Sequence, residues 1–144
     1  MKVTNKKARF NYTLEPERVE AGIALTGAEV KAVRRKDVEL SASHARIVGG
    51  EAWLVNAKIG SNSQVEFPTR SRKLLLHKKE LIVLEAKMKQ KRLTLVPTML
   101  YTKDRLVKLT LSLGKLKKRF EKRASLKKKD VQKDIERELK TRQK

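Results

Sequence analysis

Positively charged side chains are the groups in this sequence whose number and spacing could support a specific chemistry. The 144 residues include 37 Lys and Arg but only 16 Asp and Glu, which gives a formal net charge of +21 at pH 7. Such a charge in so short a chain causes strong self-repulsion unless a polyanion neutralises it. Structured RNA or a ribosome is therefore the expected partner, ahead of an acidic membrane surface.

The cations concentrate in three short segments, at 5–9, 31–35 and 70–73. In the third segment, Arg70 and Arg72 are two residues apart. An extended backbone would therefore point both guanidinium groups along one path of phosphates. The alternative for any such segment is a solvated basic surface that binds nothing, and these residues alone leave both interpretations open.

Residues suited to catalysis or metal binding are sparse. The sequence has two histidines and no cysteine, so it offers neither a disulfide nor a thiolate metal site. His44 is interpreted as a surface residue rather than a metal ligand or a general base. We therefore expect no enzyme activity, no cofactor and no metal. A nuclease or a peptidyl-tRNA hydrolase is the catalytic alternative, and turnover of charged tRNA that depends on Glu20 or His44 would identify it.

No stretch of the sequence predicts a membrane segment. An apolar run of the roughly 18 residues that a spanning helix needs is absent. The first ten residues lack the apolar stretch of a signal peptide. We therefore expect a cytoplasmic protein with no membrane partner, and a monomer. A module that lies on a membrane surface is a further alternative, but it would need a wide apolar face in the C-terminal segment.

The segment Gly22–Arg34 predicts a strand that leads into a capped helix. Ile23 and Leu25 alternate with small residues, as in a half-buried strand. Thr26 can act as the N-cap, and Glu29 three residues later can complete a capping box. Glu29 is therefore interpreted as a helix cap rather than a general base.

Strand patterns dominate the rest of residues 1–114. Gly49-Gly50 favours a tight hairpin turn. Trp53 in the next strand is expected to anchor the core rather than to serve as a platform for a nucleotide. Pro97 predicts a sheet edge or a β-bulge. Residues 107–113 alternate apolar with polar side chains, which is typical of a strand.

Two helical segments are also predicted outside Gly22–Arg34. A short helical turn is expected at 15–18, and a longer helix should place Leu81, Leu84 and Met88 on one side. About six short strands with two or three short flanking helices suit a small closed OB-like β-barrel. We expect this barrel to span residues 1–114 and to bind RNA.

Residues 115–144 differ in composition from the rest of the chain, with 14 Lys and Arg against 5 Asp and Glu. Val131, Ile135 and Leu139 offer only a thin apolar line along a helix. An isolated helix of this length is marginal in water. We therefore expect a basic tail that is disordered when free and becomes helical on an anionic surface.

Ordered motifs run along nearly the whole chain. They are N-K-K-A-R-x-x-Y at 5–12, E-A-G-I-A-L-x-G-x-E-V-K-x-x-R at 20–34, G-E-A-W-L at 50–54, P-T-R-S-R-K-L-L-L-H-K-K-E-L at 68–81, T-L-V-P at 94–97 and F-E-K-R at 120–123. Together these motifs resemble the SmpB family of SsrA-binding proteins. Their order and spacing set the chain apart from a ribosomal or general structured-RNA-binding protein, which is the alternative. One departure is Leu116, which replaces a usual Gly and could let a strand or helix continue into the tail.

The resemblance implies an OB-like barrel that binds the tRNA-like domain of transfer-messenger RNA and delivers this RNA to stalled ribosomes for trans-translation. It also implies that the tail contacts small-subunit rRNA at the decoding centre and enters the empty mRNA channel as a helix. The implied RNA-binding residues are Asn5, Lys6, Arg9, Glu20, Lys31, Arg34, Arg70, Arg72, Lys73 and Lys108. The implied tail residues that contact the ribosome are Lys117, Lys118, Lys122, Arg123 and Lys127.

Glu20 is the exceptional member of the implied RNA-binding set, because it is a carboxylate among cations. It could accept a hydrogen bond from a base amine or a ribose 2′-hydroxyl. It could equally orient Asn5 or Arg9, and the sequence leaves both roles open.

Overall fold

The computed structural model describes residues 1–118, 121–124, 126–127, 129 and 132–133, and it is mostly β. Three α-helices accompany the strands within residues 1–118. In chain order the elements are β1 Lys2–Thr4, α1 Ala8–Asn11, β2 Tyr12–Ile23, α2 Gly27–Arg34, β3 Val38–Glu39, β4 His44–Val48, β5 Glu51–Val55, β6 Lys58–Ile59, β7 Arg72–Leu75, α3 Lys78–Lys91, β8 Thr94–Lys103 and β9 Leu106–Leu116.

Six strands form a ring. The main sheet has the order β1-β8-β4-β5-β7-β2-β9, and β9 also pairs with β8, which closes the sheet on itself. Strand β1 adds to the ring by pairing with β8, and the short strands β3 and β6 pair separately. All of these pairings are antiparallel. The prediction of a mostly β fold with about six main strands is confirmed.

The apolar core lies inside the ring, because alternate side chains of each strand point inward. In β9 the inward residues Leu109, Leu111 and Leu113 are buried, as the alternating pattern predicts. Leu54 from β5 and Leu100 from β8 belong to the same buried cluster. Burial of this apolar surface supplies the main driving force for closing the ring.

The helices contribute their predicted faces to this core. Thr26 caps α2, and its capping box with Glu29 is present, so this prediction is confirmed. Leu84 of α3 is buried, while Leu81 and Met88 pack against the core, as their spacing predicts. Both helices therefore help to cover the ring.

Trp53 lies on the outer face of the ring, so its predicted place in the core is wrong. Gly49 and Gly50 form the predicted hairpin turn with φ angles of 58° and 77°. The hairpin register pairs Ile47 with Ala52 and Arg46 with Trp53. Because Ala52 faces the core, its neighbour Trp53 must face outward. Trp53 is half-buried and lies outside the apolar cluster of the described residues.

Pro16 lies within β2, so the predicted helical turn at 15–18 is wrong. The pairing of β2 with β9 shifts its register between Leu14 and Arg18. A proline cannot donate to the ladder, and such an irregularity accommodates it within a strand. Pro97 in β8 lies at a similar register shift, which confirms the prediction made for it.

The C-terminal segment begins as a continuation of the sheet. Strand β9 extends to Leu116, beyond the predicted boundary at residue 114. Residues 121–124, 126–127, 129 and 132–133 are helical. Val131, Ile135 and Leu139 lie outside the described residues, and disorder of the free tail remains a prediction. In the described ranges, no helix is both long enough and apolar enough to cross a membrane.

Two leucines of β9 test the position of the core. Leu109 is buried, whereas Leu106 at the start of the strand is exposed. We expect Leu109→Ala to lower the free energy of unfolding by about 2–5 kcal/mol, because it removes buried methyl groups and leaves a cavity. Leu106→Ala is the matched control and should change it by less than about 0.5 kcal/mol. Equal effects in urea unfolding would contradict the inward and outward assignment of this strand.

Candidate nucleic-acid interface

Helix α2 carries a buried carboxylate that binds two arginines from a distant segment. Glu29 is only 1% exposed, on the face of α2 that packs against the fold. Its Oε1 accepts hydrogen bonds from the Thr26 backbone N at 2.9 Å and from Arg70 Nη2. Its Oε2 accepts from Arg72 Nε. Glu29 therefore joins the start of α2 to the segment that leads into β7.

Arg72 is fully buried, so its predicted direct contact with RNA is wrong for this structure. Its exposure is 0%, and its remaining donors bind backbone carbonyls. Nη1 donates to the carbonyl oxygens of Ala57 and Arg70 at 3.0 Å each, and Nη2 donates to that of Pro68 at 2.8 Å. Arg70 lies on the same side of the segment as Arg72, as the two-residue spacing predicts. Both guanidinium groups bind Glu29 on this side. Arg70 is partly exposed.

The pKa of the Glu29 carboxyl reflects this pairing. Burial alone would raise its pKa, because it disfavours the charged form. Hydrogen bonds from Arg70, the Thr26 backbone and Arg72, together with the charge of Arg72, outweigh burial and lower the pKa below its usual value. Glu29 is therefore ionised at neutral pH and balances part of the arginine charge.

Three of the predicted RNA-binding residues meet at an open pocket. Asn5, Lys6 and Arg9 line a cavity of about 820 Å³ between the N-terminal segment, α1, β2 and β9. Lys117, predicted to contact the ribosome, lines the same cavity. Its backbone N donates to the Asn11 carbonyl at 2.9 Å, which holds the root of the tail against α1. Cations from distant parts of the sequence therefore surround one pocket.

Asn5 occupies an unusual position at this pocket. Its side chain is 8% exposed, and Nδ2 donates to the carbonyls of Leu40 and Pro97 at 3.2 and 2.8 Å. Its buried Oδ1 has no hydrogen-bond partner among the described residues. An unpaired buried acceptor costs about 1–3 kcal/mol.

Glu20 and Lys108 lie next to each other on the outer face of the ring. Lys108 of β9 is opposite Gly22 of β2 on one side and Tyr101 of β8 on the other. The Tyr101 hydroxyl donates to Glu20 Oε2. Burial, the hydrogen bond to Glu20 and the charge of Glu20 raise the pKa of Tyr101, so its hydroxyl keeps its proton at neutral pH. The side chain that binds Glu20 is therefore Tyr101, whereas the sequence analysis considered Asn5 or Arg9.

The other predicted RNA-binding cations are exposed but separate from the pocket. Lys31 and Arg34 lie on the solvent side of α2, opposite Glu29. Lys73 of β7 is exposed, and its Nζ lies 3.3 Å from Glu51 Oε1. Within the described ranges, no group of three His, Cys, Asp or Glu side chains could hold a metal ion.

The tail cations Lys118, Lys122, Arg123 and Lys127 follow Lys117 along the described part of the C-terminal segment. The Lys122 backbone N donates to the Lys118 carbonyl at 3.2 Å, which is an i to i−4 helical hydrogen bond. The Lys118 backbone N donates to Glu121 Oε2 at 3.3 Å. The first turn of the tail is therefore organised by its own residues.

Sequence reasoning missed three contributors to this surface. Tyr101 fixes Glu20, and it lies opposite Lys108 because the turn between β8 and β9 consists of Asp104 and Arg105 only. Arg18 adds a cation to the pocket, which the supposed helical turn concealed. Leu75 is a large apolar residue that is 55% exposed beside Gly22.

Removing the charge of Glu29 tests its structural role. We expect Glu29→Gln to lower the free energy of unfolding at pH 7 by about 3–5 kcal/mol, because two arginines lose their partner and one of them is buried. The lowered pKa means that the wild-type contribution is present above the unfolded pKa and is lost as the pH falls through the folded pKa. Urea unfolding between about pH 7 and pH 3 should therefore show the difference between the two proteins shrinking in acid.

Glu17→Gln is the matched control, because Glu17 binds Lys87 at the surface at 2.7 Å. Exposed ion pairs contribute little, so this variant should resemble the wild type. A loss of stability that is equal in both variants, or independent of pH in Glu29→Gln, would contradict the role of Glu29.

Comparison with known proteins identifies the family of this chain. A family model described as "SmpB protein" matches residues 2–141. An SsrA-binding protein of Dehalococcoides mccartyi (strain ATCC BAA-2100 / JCM 16839 / KCTC 5957 / BAV1) is 44% identical over 143 residues, which cover 96% of this chain and 83% of the relative. One of Shouchella clausii (strain KSM-K16) is 44% identical over 142 residues, which cover 96% and 90%.

A solved structure is also similar to this chain. It is described as "tmRNA-SmpB: a journey to the center of the bacterial ribosome", and its sequence is 44% identical. The match has a TM-score of 0.63 and covers 82% of this chain and 85% of that chain. Because the family model and the relatives span nearly the whole sequence, this chain belongs to the SmpB family of SsrA-binding proteins.

Proposed function

We propose that this chain binds the tRNA-like domain of transfer-messenger RNA and delivers that RNA to stalled ribosomes for trans-translation. The observation that carries the proposal is the open pocket that Asn5, Lys6, Arg9 and Lys117 line together. Family membership and the SsrA-binding relatives identify which structured RNA this pocket would take. The structure described as tmRNA-SmpB supports the ribosome as the second partner.

The chemistry of the pocket suits folded RNA better than an RNA sequence. Lys6 and Arg9 bind phosphates, which gives affinity without reading bases. Asn5 lines the same pocket, and the carbonyls of Leu40 and Pro97 fix its amide group there. Specificity then comes from the shape of the RNA, which has to bring its phosphates to these cations.

The outer face of β2 and β9 extends this interface. Lys108 supplies a cation beside Glu20, and Tyr101 holds one oxygen of the Glu20 carboxylate. The other oxygen is left to accept from a 2′-hydroxyl or a base amine. Lys31, Arg34 and Lys73 add exposed charge around it, whereas Arg72 stabilises the fold and does not face the RNA.

The six-stranded ring serves as an OB-like barrel in this proposal. Such barrels bind oligonucleotides on their outer strands, which agrees with the position of Glu20 and Lys108. The protein acts in the cytoplasm as a monomer and without catalysis, because its task is to bind one RNA and position it on the ribosome.

The basic tail serves as the ribosome-contacting part. Lys118, Lys122, Arg123 and Lys127 carry the charge that an rRNA-lined channel attracts. In this proposal the tail enters the empty mRNA channel as a helix, so that only a stalled ribosome accepts the complex.

RNA binding through phosphates should depend strongly on salt. If about six phosphates are neutralised, affinity for the tRNA-like domain should fall roughly a thousandfold between about 50 and 200 mM monovalent salt. Filter binding or fluorescence anisotropy of labelled RNA measures this slope. A dissociation constant that hardly changes with salt would contradict the proposal. Sequencing the RNA that the chain captures from a bacterial lysate identifies the ligand, and enrichment of rRNA alone would favour a ribosomal protein instead.

Shortening the tail should separate RNA binding from ribosome rescue. We expect removal of residues 122–144 to leave the ring folded and to lower affinity for transfer-messenger RNA only by the lost long-range attraction. Tagging of nascent chains on stalled ribosomes should nevertheless fail. Ile135→Pro is the charge-preserving companion, because proline costs about 3 kcal/mol inside a helix. It should look normal by circular dichroism and RNA binding, and full tagging by either variant would contradict the helical role of the tail.

A further inference from the structure

The only tryptophan of the sequence lies between two cations on the outside of the ring. In the antiparallel register, Trp53 of β5 is directly opposite Arg46 of β4 and Lys73 of β7. Side chains that face each other across antiparallel strands have Cβ atoms about 4.5–5.5 Å apart. The indole is therefore within reach of a guanidinium on one side and an ammonium on the other.

Core packing does not account for this tryptophan. On the inner face of the same strand, Ala52 and Leu54 fill the core and are fully buried. Trp53 is half-buried on the other face, outside the apolar cluster of the described residues. The indole thus keeps part of its surface open to solvent.

Trp53 is also continuous with the candidate RNA interface. Lys73 and Leu75 both lie on the outer face of β7, because side chains two residues apart in a strand share a face. Trp53 is directly opposite Lys73, and Leu75 is the next outward residue of β7. Leu75 is opposite Gly22, and Gly22 is opposite Lys108. A β-carbon on Gly22 would lie 3.2 Å from Leu75 Cβ, which is a close contact. With glycine at this position, no side chain separates Leu75 from Lys108 on the outer face. One face therefore runs from Lys108 to Trp53.

We propose that Trp53 is a stacking platform for an unpaired RNA base, with Arg46 and Lys73 binding the phosphates on either side of that nucleotide. Every base has a flat face that stacks on an aromatic ring, and neighbouring cations attract the backbone. The site rests on the proposed function, since it extends the same RNA interface by one nucleotide.

The ion pair between Lys73 and Glu51 does not block this site. Both side chains are exposed, with Nζ and Oε1 at 3.3 Å. A surface ion pair of this kind contributes little, so Lys73 can exchange the carboxylate for a phosphate at small cost. Arg46 is exposed and available on the opposite side.

Fluorescence provides a direct test, because Trp53 is the only source of tryptophan emission in this sequence. The full-length protein is titrated with a transcript of the tRNA-like domain and, separately, with a short single-stranded RNA oligonucleotide. Stacking of a base on the indole should quench its emission in step with binding. Emission that stays unchanged while the transcript saturates the protein would overturn the proposal.

Three variants separate stacking from general apolar contact. Trp53→Leu keeps an apolar side chain but removes the aromatic face, and it should weaken transcript binding roughly 5- to 100-fold. Trp53→Phe restores a smaller aromatic face and should recover most of that loss. Val48→Ala is the matched control, because Val48 is an exposed apolar residue on the same outer face of β4, and it should bind normally. Equal affinity of Trp53→Leu and wild type would overturn the proposal.

The two RNA probes distinguish failure of this site from failure of the proposed function. If the wild type binds the transcript but Trp53 neither quenches nor affects affinity, the stacking site is wrong and the proposed function stands. If the transcript does not bind, the proposed function is wrong, and quenching by the oligonucleotide decides the stacking site alone. Urea unfolding of each variant completes the test, since a stability loss that accounts for the whole effect of Trp53→Leu would make Trp53 a structural residue.

Discussion

The buried carboxylate of Glu29 is the interaction on which the rest of this structure depends. It accepts hydrogen bonds from Arg70, from Arg72 and from the backbone N of the N-cap Thr26, so one side chain joins a helix end to a segment about forty residues away. Arg72 in turn binds the carbonyls of Ala57 and Pro68. A buried charge is tolerated only when it is paired and its hydrogen bonds are satisfied, and this network meets both conditions.

This network divides the cations of the chain into two groups with different tasks. Arg72 is held inside by Glu29 and shapes the start of β7, which then presents Lys73 outward. Lys31 and Arg34 extend from the opposite side of the same helix that carries Glu29. The high net charge therefore supplies both a structural tie and an open surface, and only the second group is available to RNA phosphates. Composition alone does not separate the two groups.

Sequence patterns among neighbouring residues predicted the local structure correctly. They did not predict the contacts between residues that are far apart in the sequence. The Thr26 capping box, the Gly49-Gly50 turn and the alternation in β9 each depend on neighbouring residues, and all are confirmed. The position of Trp53 was in fact encoded, because a two-residue turn pairs Ile47 with Ala52 and leaves Trp53 outside. The burial of Arg72 was not encoded locally, since its partner Glu29 lies 43 residues earlier in the chain. The unpaired oxygen of Asn5 likewise depends on strands that meet only in the folded protein.

The most direct test of this division compares Arg72→Gln with Lys108→Gln, measuring for each the free energy of unfolding and the RNA affinity of the folded protein. Arg72→Gln should lose about 3–5 kcal/mol of stability, because Glu29 is left buried with a weakened partner set, while its folded molecules bind the tRNA-like domain as the wild type does. Lys108→Gln should keep its stability and lose affinity. Unchanged stability with lost affinity in Arg72→Gln would contradict the account.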